Sequence, residues 1–381
     1  MKILMLFPGM INHLPPLMTA AACMSDLSAQ VYTVGVGCAE ESKEYLLKHN
    51  VHCIDLGYNN YPVTLAEKAL LRLKFELKLW KKIVTIKPDV IWYHGGHGMA
   101  YHFLLPIKQN MIIVAHAHEY YNKHDNLGRI QNAVVRRADL YIVPESYRGW
   151  LIKGDSGTTA PFRVIPNRLS DDALPDKNFE SKTIKMFRQR GGSPYCDKFI
   201  IYQGLIDSER CIKEAIHAFR MLSDSNLGFI IMGSASDRVY YSEIKNLARE
   251  DKRIVFLPSI SAPGHLRITK GCIGGLILYA PTCLNNIYCA PNKIYEYAYF
   301  GLGMIMPDYP GLSSINNQFN LGTTCNPLEP NSILSAIKAL LQRDKSSYES
   351  ATTKFLAYSP KPIEIYKEVF NALKKKLRLC E

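Results

Sequence analysis

The sequence predicts an α/β protein built from two Rossmann-like domains in tandem. Short, continuous apolar runs alternate with helix-length amphipathic segments, the pattern of a parallel sheet covered on both faces. The alternation stops at a polar, proline-marked stretch near the middle and then restarts. At 381 residues the chain is long enough for two cores of ordinary size.

In chain order, KILMLF is the first strand, followed by a helix around residues 15 to 28, the strand QVYTVGVG, a second helix, the strand HCIDLG and a long helix from Thr64 to Ile86. DVIWYHG, MIIVAHAHE and ADLYIVPE continue the series. RVIPNRLSDDALPDKN, residues 163 to 178, is the connector. KFIIYQG, LGFIIMG, RIVFLP, GGLILYA and GMIMPD are the second set of buried strands, spaced by helices such as IKEAIHAFRML and YYSEIKNLARE. The expected organisation is a first domain over 1–168, a second over 169–360, and a closing helix over 361–381. That helix, with Ile363, Val369, Phe370 and Leu373 on its apolar face, caps the second domain or crosses back to the first.

With 47% hydrophobic and 21% charged residues, the composition is that of a globular protein. Pro8 and Gly9 stop the opening apolar run far short of a signal core or a spanning helix, so a cytoplasmic location is expected. The ten cysteines are scattered singly and sit partly in apolar runs, which predicts neither disulfides nor a zinc knuckle. Lysine and arginine outnumber aspartate and glutamate 46 to 34, a formal charge of +12, which points to an anionic partner. No basic-aromatic motif or reading helix supports nucleic acid.

In open parallel sheets ligands bind beyond the carboxyl ends of strands. The loops there are PGMINH with Gly9, HGGHG, HAHEYY with His118 and Glu119, QGLIDSER with Gly204 and Arg210, GSAS with Gly233, and YCAPNKIYEYAYFG. In the last, Pro291 suits a first helical position, Asn292 and Lys293 fall in the first turn, and Glu296 follows on the face of Asn292. Free N–H groups and Lys293 suit a phosphate, and Glu296 suits a pair of vicinal hydroxyls. A simple Glu296–Lys293 pair at i,i+3 fits the same spacing.

His116 and His118 point to one side of an extended segment. A metal site drawing on His94, His97, His116 and His118 is the rival reading, but without a cysteine or aspartate at ligand spacing no metal is expected, and His94 and His97 read as structural strand-end residues.

The long helix carries two apolar stripes. Ala66, Ala69, Leu70, Leu73, Leu77 and Trp80 read as the core face; Leu71, Phe75 and Leu79, rimmed by Lys68, Arg72, Lys78 and Lys82, read as a surface for an anionic membrane. Burial on two sides, or cover by a partner subunit, is the alternative.

GGLILYAPTCLNNIYCAPNKIYEYAYFGLGMIMPDYPGL resembles the nucleotide-sugar segment of GT-B glycosyltransferases of retaining family 4, with its strand, loop, A-P-N-K-x-x-E-Y, and P-G-L. IIYQGLIDSER, LGFIIMGSAS, RIVFLPSI, VIPN and VVRRADLYIVPES extend the resemblance over most of the chain. It implies two domains facing a cleft and retaining transfer of a sugar from a nucleotide-diphosphate donor, of the UDP type, to a glycan or lipid-linked acceptor, as in surface polysaccharide synthesis. It implies that Glu296 holds the ribose, Gly204 and Arg210 the diphosphate, and that Gly9 admits the donor phosphate. His118, preceding Glu119, faces the reacting sugar in a branch of the family. No D-x-D is present, so the diphosphate is expected to be neutralised by cations and not by a metal or other cofactor. Two positions depart from the pattern: Leu205 stands where the family has a cation and Tyr288 where it has a second glutamate. A nucleotide-sugar isomerase or hydrolase on the same fold, or a non-catalytic nucleotide-sugar or glycan-binding partner, are the alternatives.

Overall fold

The computed structural model describes the chain except residues 58–63, 106, 108–109, 171–173, 176–177, 261 and 381. Among the described residues, two parallel sheets form, one in each of two compact units: residues Met1–Ser170 with Lys361–Glu381, and residues Asp171–Pro360.

The first sheet contains β1 (Lys2–Leu6), β2 (Gln30–Gly35), β3 (His52–Asp55), β4 (Val90–His94), β5 (Ile112–His116), β6 (Leu140–Val143) and β7 (Phe162–Val164). Their order is β3-β2-β1-β4-β5-β6-β7, so the winding reverses between β1 and β4. The runs VIWYH, IIVAH and LYIV are buried throughout, as expected for strands packed on both faces. Strand β7, which overlaps the start of the stretch read as connector, is three residues long and only partly buried, too short to show an apolar run.

The second sheet contains β8 (Lys198–Gln203), β9 (Leu227–Met232), β10 (Ile254–Leu257), β11 (Gly274–Leu276), β12 (Gly303–Pro307) and β13 (Gly322–Cys325), ordered β10-β9-β8-β11-β12-β13. Its reversal lies between β8 and β11. Strand β13, GTTC, has too little apolar character to be read from sequence.

The closing helix Pro362–Cys380 belongs to the first unit, where Tyr366, Val369, Phe370 and Leu373 join the core cluster containing Leu17, Ala20 and Ala21 of the helix Pro15–Asp26. Ile363 is exposed, and Tyr366 takes the buried place expected of it.

The long helix Leu65–Ile86 starts at a capping box, with Thr64 and Glu67 bonding each other's backbone N–H. Its orientation is the reverse of the sequence expectation. Phe75 and Leu79, 1% and 0% exposed, pack with Ile83 into the cluster of Leu4, Leu6, Ile91 and Tyr93, and Leu71 is half-buried. Arg72 lies over the Tyr101 ring and pairs with Glu76 at 2.9 Å. Leu70, Leu73, Leu77, Trp80 and Val84 are exposed, Leu73 by 52% and Trp80 by 48%. Both stripes are apolar, so periodicity could not decide between them; Phe75 settles it by packing its ring at a tilt of 54° against that of Tyr101, centroids 5.2 Å apart. Lys78 and Lys82 are exposed, while the side chains of Ala66, Lys68 and Ala69 lie outside the described residues.

No helix among the described residues is long and apolar enough to cross a membrane. The cysteines described are free thiols.

Candidate functional site

Each sheet places polar side chains at its reversal point, where loops on either side diverge and leave a crevice. In the second unit, β8 ends at Gln203 and the chain turns at Gly204, whose φ of +132° lies in a region that L side chains avoid. A Cβ on Gly204 would sit 3.1 Å from Lys293 Cε and 3.3 Å from its Nζ. Gly233, which follows β9, is pressed against this turn: its added Cβ would meet the Gly204 carbonyl oxygen at 1.7 Å. The two glycines let two strand-end loops lie backbone against backbone, joined by the bridge between Ile206 and Ala235.

Lys293 opens the helix Lys293–Tyr299, with Asn292 as its N-cap; the helix begins two residues after Pro291, where the sequence reading started it. The Lys293 ammonium lies 4.5 Å from the Tyr202 ring centre and 5.4 Å from that of Tyr279. Desolvation, helped by the Arg210 charge, pulls its pKa from 10.5 down to about 7. Arg210, at the end of the turn Ser208–Arg210, stacks over Tyr279 at 4.5 Å and is held by Asp207 at 3.7 Å and Asn286 Oδ1 at 3.4 Å. Two cations thus share one aromatic wall, an arrangement that a bound dianion would relieve.

Glu296 is buried. Gln203 donates its side-chain amide to Oε2, and His265 Nε2 lies 3.4 Å from Oε1. Thr269 in turn donates to Gln203 Oε1 at 2.6 Å, fixing which way the amide points. Glu296 therefore does not form the local i,i+3 pair with Lys293 as its principal partnership. Gln203, His265, Thr269, Tyr202, Tyr279 and Asn286 were not singled out from the sequence. Gln203 carried a signal, being a polar residue closing an apolar strand; His265 carried none. Leu205 is exposed, its carbonyl taking the Tyr202 hydroxyl, and Tyr288 is partly buried.

In the first unit, His94 ends β4 and His116 ends β5, and the two are paired in register. His118 follows, and its Nε2 is 3.1 Å from His94 Nδ1. The three rings lie 4.2 to 5.3 Å apart, centre to centre. Burial drives all three imidazoles toward the neutral form, His118 to about 3 and the others well below their usual value. Arg148, buried on the helix Ser146–Ser156, donates to the His118 carbonyl, and Glu145 caps that helix through the Tyr147 and Arg148 N–H groups. His94 is thus part of the His118 site and not an isolated strand-end residue, whereas His97 is exposed. Glu119 is exposed and accepts from the Tyr121 hydroxyl at 3.2 Å. Gly9 lies in the loop after β1, where its carbonyl accepts from Val36 N and an added Cβ would strike the Phe7 ring at 2.7 Å.

No protein-family model matches the sequence, and no curated protein sequence does. Solved structures do match in three dimensions. HepE of Anabaena, in complex with UDP-glucose, superposes with a TM-score of 0.75 at 16% identity, over 98% of this chain and 100% of that one. The fold is GT-B. A glycosyltransferase from Rickettsia africae matches the GT-B chain with a TM-score of 0.68 at 12% identity, over 100% and 97% of the two chains. A Listeria monocytogenes protein described as a UDP-N-acetylglucosamine 2-epimerase matches at 0.60 and 11%, over 98% and 93%.

Proposed function

We propose that this GT-B protein is a glycosyltransferase that moves a sugar from a nucleotide-diphosphate donor of the UDP type to a glycan or lipid-linked acceptor, with retention at the anomeric carbon. One observation carries the reading: the buried Glu296 carboxylate, oriented by Gln203, stands one helical turn from a desolvated lysine that neighbours a glycine turn. A carboxylate accepts two vicinal ribose hydroxyls well, and a dehydrated ammonium gains most when a phosphate enters. HepE binding UDP-glucose on the same fold supports the donor class.

In this reading Glu296 holds the ribose, Gly204 and Gly233 give the backbone its close approach, and Asn292 lies beside the phosphates. Arg210 and Lys293 receive the charge that develops as the bond from the anomeric carbon to the diphosphate breaks, its electron pair passing to the phosphate oxygen. The acceptor hydroxyl then bonds to that carbon and its proton leaves with the diphosphate. His118, with Glu119 beside it, is assigned to the reacting sugar. Because side-chain cations neutralise the diphosphate, binding of the nucleotide diphosphate is expected to survive chelation of divalent metal.

The acceptor class rests on the helix Leu65–Ile86. Its exposed stripe Leu70, Leu73, Leu77, Trp80 and Val84 is flanked by the exposed Lys74, Lys78 and Lys81, a pairing that suits an anionic lipid surface and would bring a lipid-linked acceptor close.

The test is a calorimetric screen of nucleotide sugars, followed by product analysis with glycan and lipid-linked acceptors. Saturable binding of a nucleotide sugar that Glu296→Ala weakens, with acceptor-dependent transfer, supports the reading. Free sugar or an epimer formed without acceptor would favour the isomerase or hydrolase alternative, for which the Listeria neighbour speaks. Binding without any turnover would make the protein a nucleotide-sugar receptor.

A further inference from the structure

We propose that His94, His116 and His118 form a binding site for a divalent transition-metal ion of the zinc class. One ligand nitrogen from each residue lies within 4.8 Å of the other two. The 3.1 Å between His94 Nδ1 and His118 Nε2 is close to the roughly 3.3 Å edge of a tetrahedron with zinc–nitrogen bonds of about 2.0–2.1 Å.

The second observation is what these rings leave unsatisfied. His94 and His116 are 0% and 1% exposed, and His94 Nε2, His116 Nδ1 and His118 Nδ1 are buried without a hydrogen-bond partner. Of these, His116 Nδ1 is the atom that an ion held at His94 Nδ1 and His118 Nε2 could also meet, and a buried polar atom seldom stays unpaired unless a water or an ion meets it; His94 Nε2 and His118 Nδ1 lie across their rings and keep their protons. A single hydrogen bond between His94 and His118 cannot serve three rings. A metal ion uses one lone pair from each ring instead.

The frame is rigid. His94 and His116 are held in register by the β4–β5 ladder, and Arg148 fixes the His118 backbone, so the nitrogens are presented with little freedom to lose. An all-imidazole set selects zinc, cobalt, nickel or copper over magnesium or calcium. Three protein ligands leave a fourth position for water or a substrate oxygen. The nearby Arg148 guanidinium repels a cation and sets the affinity below that of a closed structural site.

The site stands independently of the transferase reading, because binding is read without activity. The full chain is stripped with chelator and titrated with cobalt(II), the visible bands of low-symmetry coordination reporting binding. X-ray absorption on the zinc-loaded wild type counts the imidazole ligands. Expected are one ion per chain, three imidazoles at bonding distance, and loss of the cobalt bands in folded His94→Ala and His116→Ala, with His97→Ala unchanged. The absence of stoichiometric bands, fewer than three imidazoles around wild-type zinc, or bands retained in folded His116→Ala would overturn the site. The X-ray measurement needs no variant, so the imidazole count decides for or against the site even where a His94 or His116 substitution fails to fold.

Discussion

Gln203, the last residue of β8, donates its side-chain amide to the carboxylate of Glu296, 93 residues further along the chain. The bond ties the reversal point of the second sheet to the first turn of the helix Lys293–Tyr299. Thr269 holds the far side of the amide, so the carboxylate's direction is set before any ligand arrives.

Removing the carboxylate and removing its support should therefore differ. Glu296→Ala is expected to weaken UDP-sugar binding roughly 10- to 100-fold, the worth of hydrogen bonds to a charged group at about 1.5–3 kcal/mol. Gln203→Ala should weaken it less and also lower stability by about 1–3 kcal/mol, since it leaves Glu296 and Thr269 buried with fewer partners. Titration calorimetry and denaturant unfolding on both variants check this; equal nucleotide affinity in Glu296→Ala and wild type would remove Glu296 from the site.

Lys293 predicts a pH signature. Its folded pKa near 7 lies below the unfolded 10.5, so between those values the unfolded chain binds the extra proton and this group's contribution to stability rises with pH. An entering diphosphate favours the ammonium, so above pH 7 nucleotide binding should take up a proton, and well below pH 7 it should not. The check is the binding enthalpy at pH 8 in two buffers of different ionisation enthalpy. Lys293→Met should abolish the buffer dependence and weaken binding; buffer-independent enthalpy in the wild type would mean that the lysine does not meet the ligand.

Much of the fold was legible because its strands are continuous apolar runs, and β4, β5, β6, β8, β9 and β12 coincide with them. Strands β7 and β13 were not, because three or four residues such as FRV and GTTC carry no run. In the candidate site, Gly204, Lys293 and Glu296 were found because local backbone needs and a short motif mark them. Gln203 and His265 reach Glu296 only through tertiary contact, and His94 meets His116 only because β4 and β5 are neighbours, an order that no local spacing encodes.

The two faces of the long helix offer a contrast. Phe75→Ser or Leu79→Ser should cost stability, about 2–5 kcal/mol for loss of a buried large side chain, with a Tm shift to match. Leu73→Ser, Leu77→Ser and Trp80→Ser together should leave the Tm nearly unchanged and abolish sedimentation with anionic liposomes. Equal liposome binding by the triple variant and wild type would discard the membrane reading of the stripe, and a shift from dimer to monomer would assign it to a second copy of the chain.

The paired glycines make the sharpest steric prediction. Gly204→Ala forces a side chain into φ +132° and against Lys293, where the flexible lysine can give way by a few tenths of an ångström, so the main cost is backbone strain of about 1–3 kcal/mol. Gly233→Ala sets its Cβ 1.7 Å from the Gly204 carbonyl oxygen, a backbone atom, and the two loops must part. Gly204→Ala should therefore remain folded with nucleotide affinity reduced and Lys293 displaced. Gly233→Ala should lose both stability and binding to a greater degree. Thermal unfolding with and without UDP separates the cases, and a Gly233→Ala protein as stable and as responsive to UDP as wild type would show that the close approach of the two loops is not required.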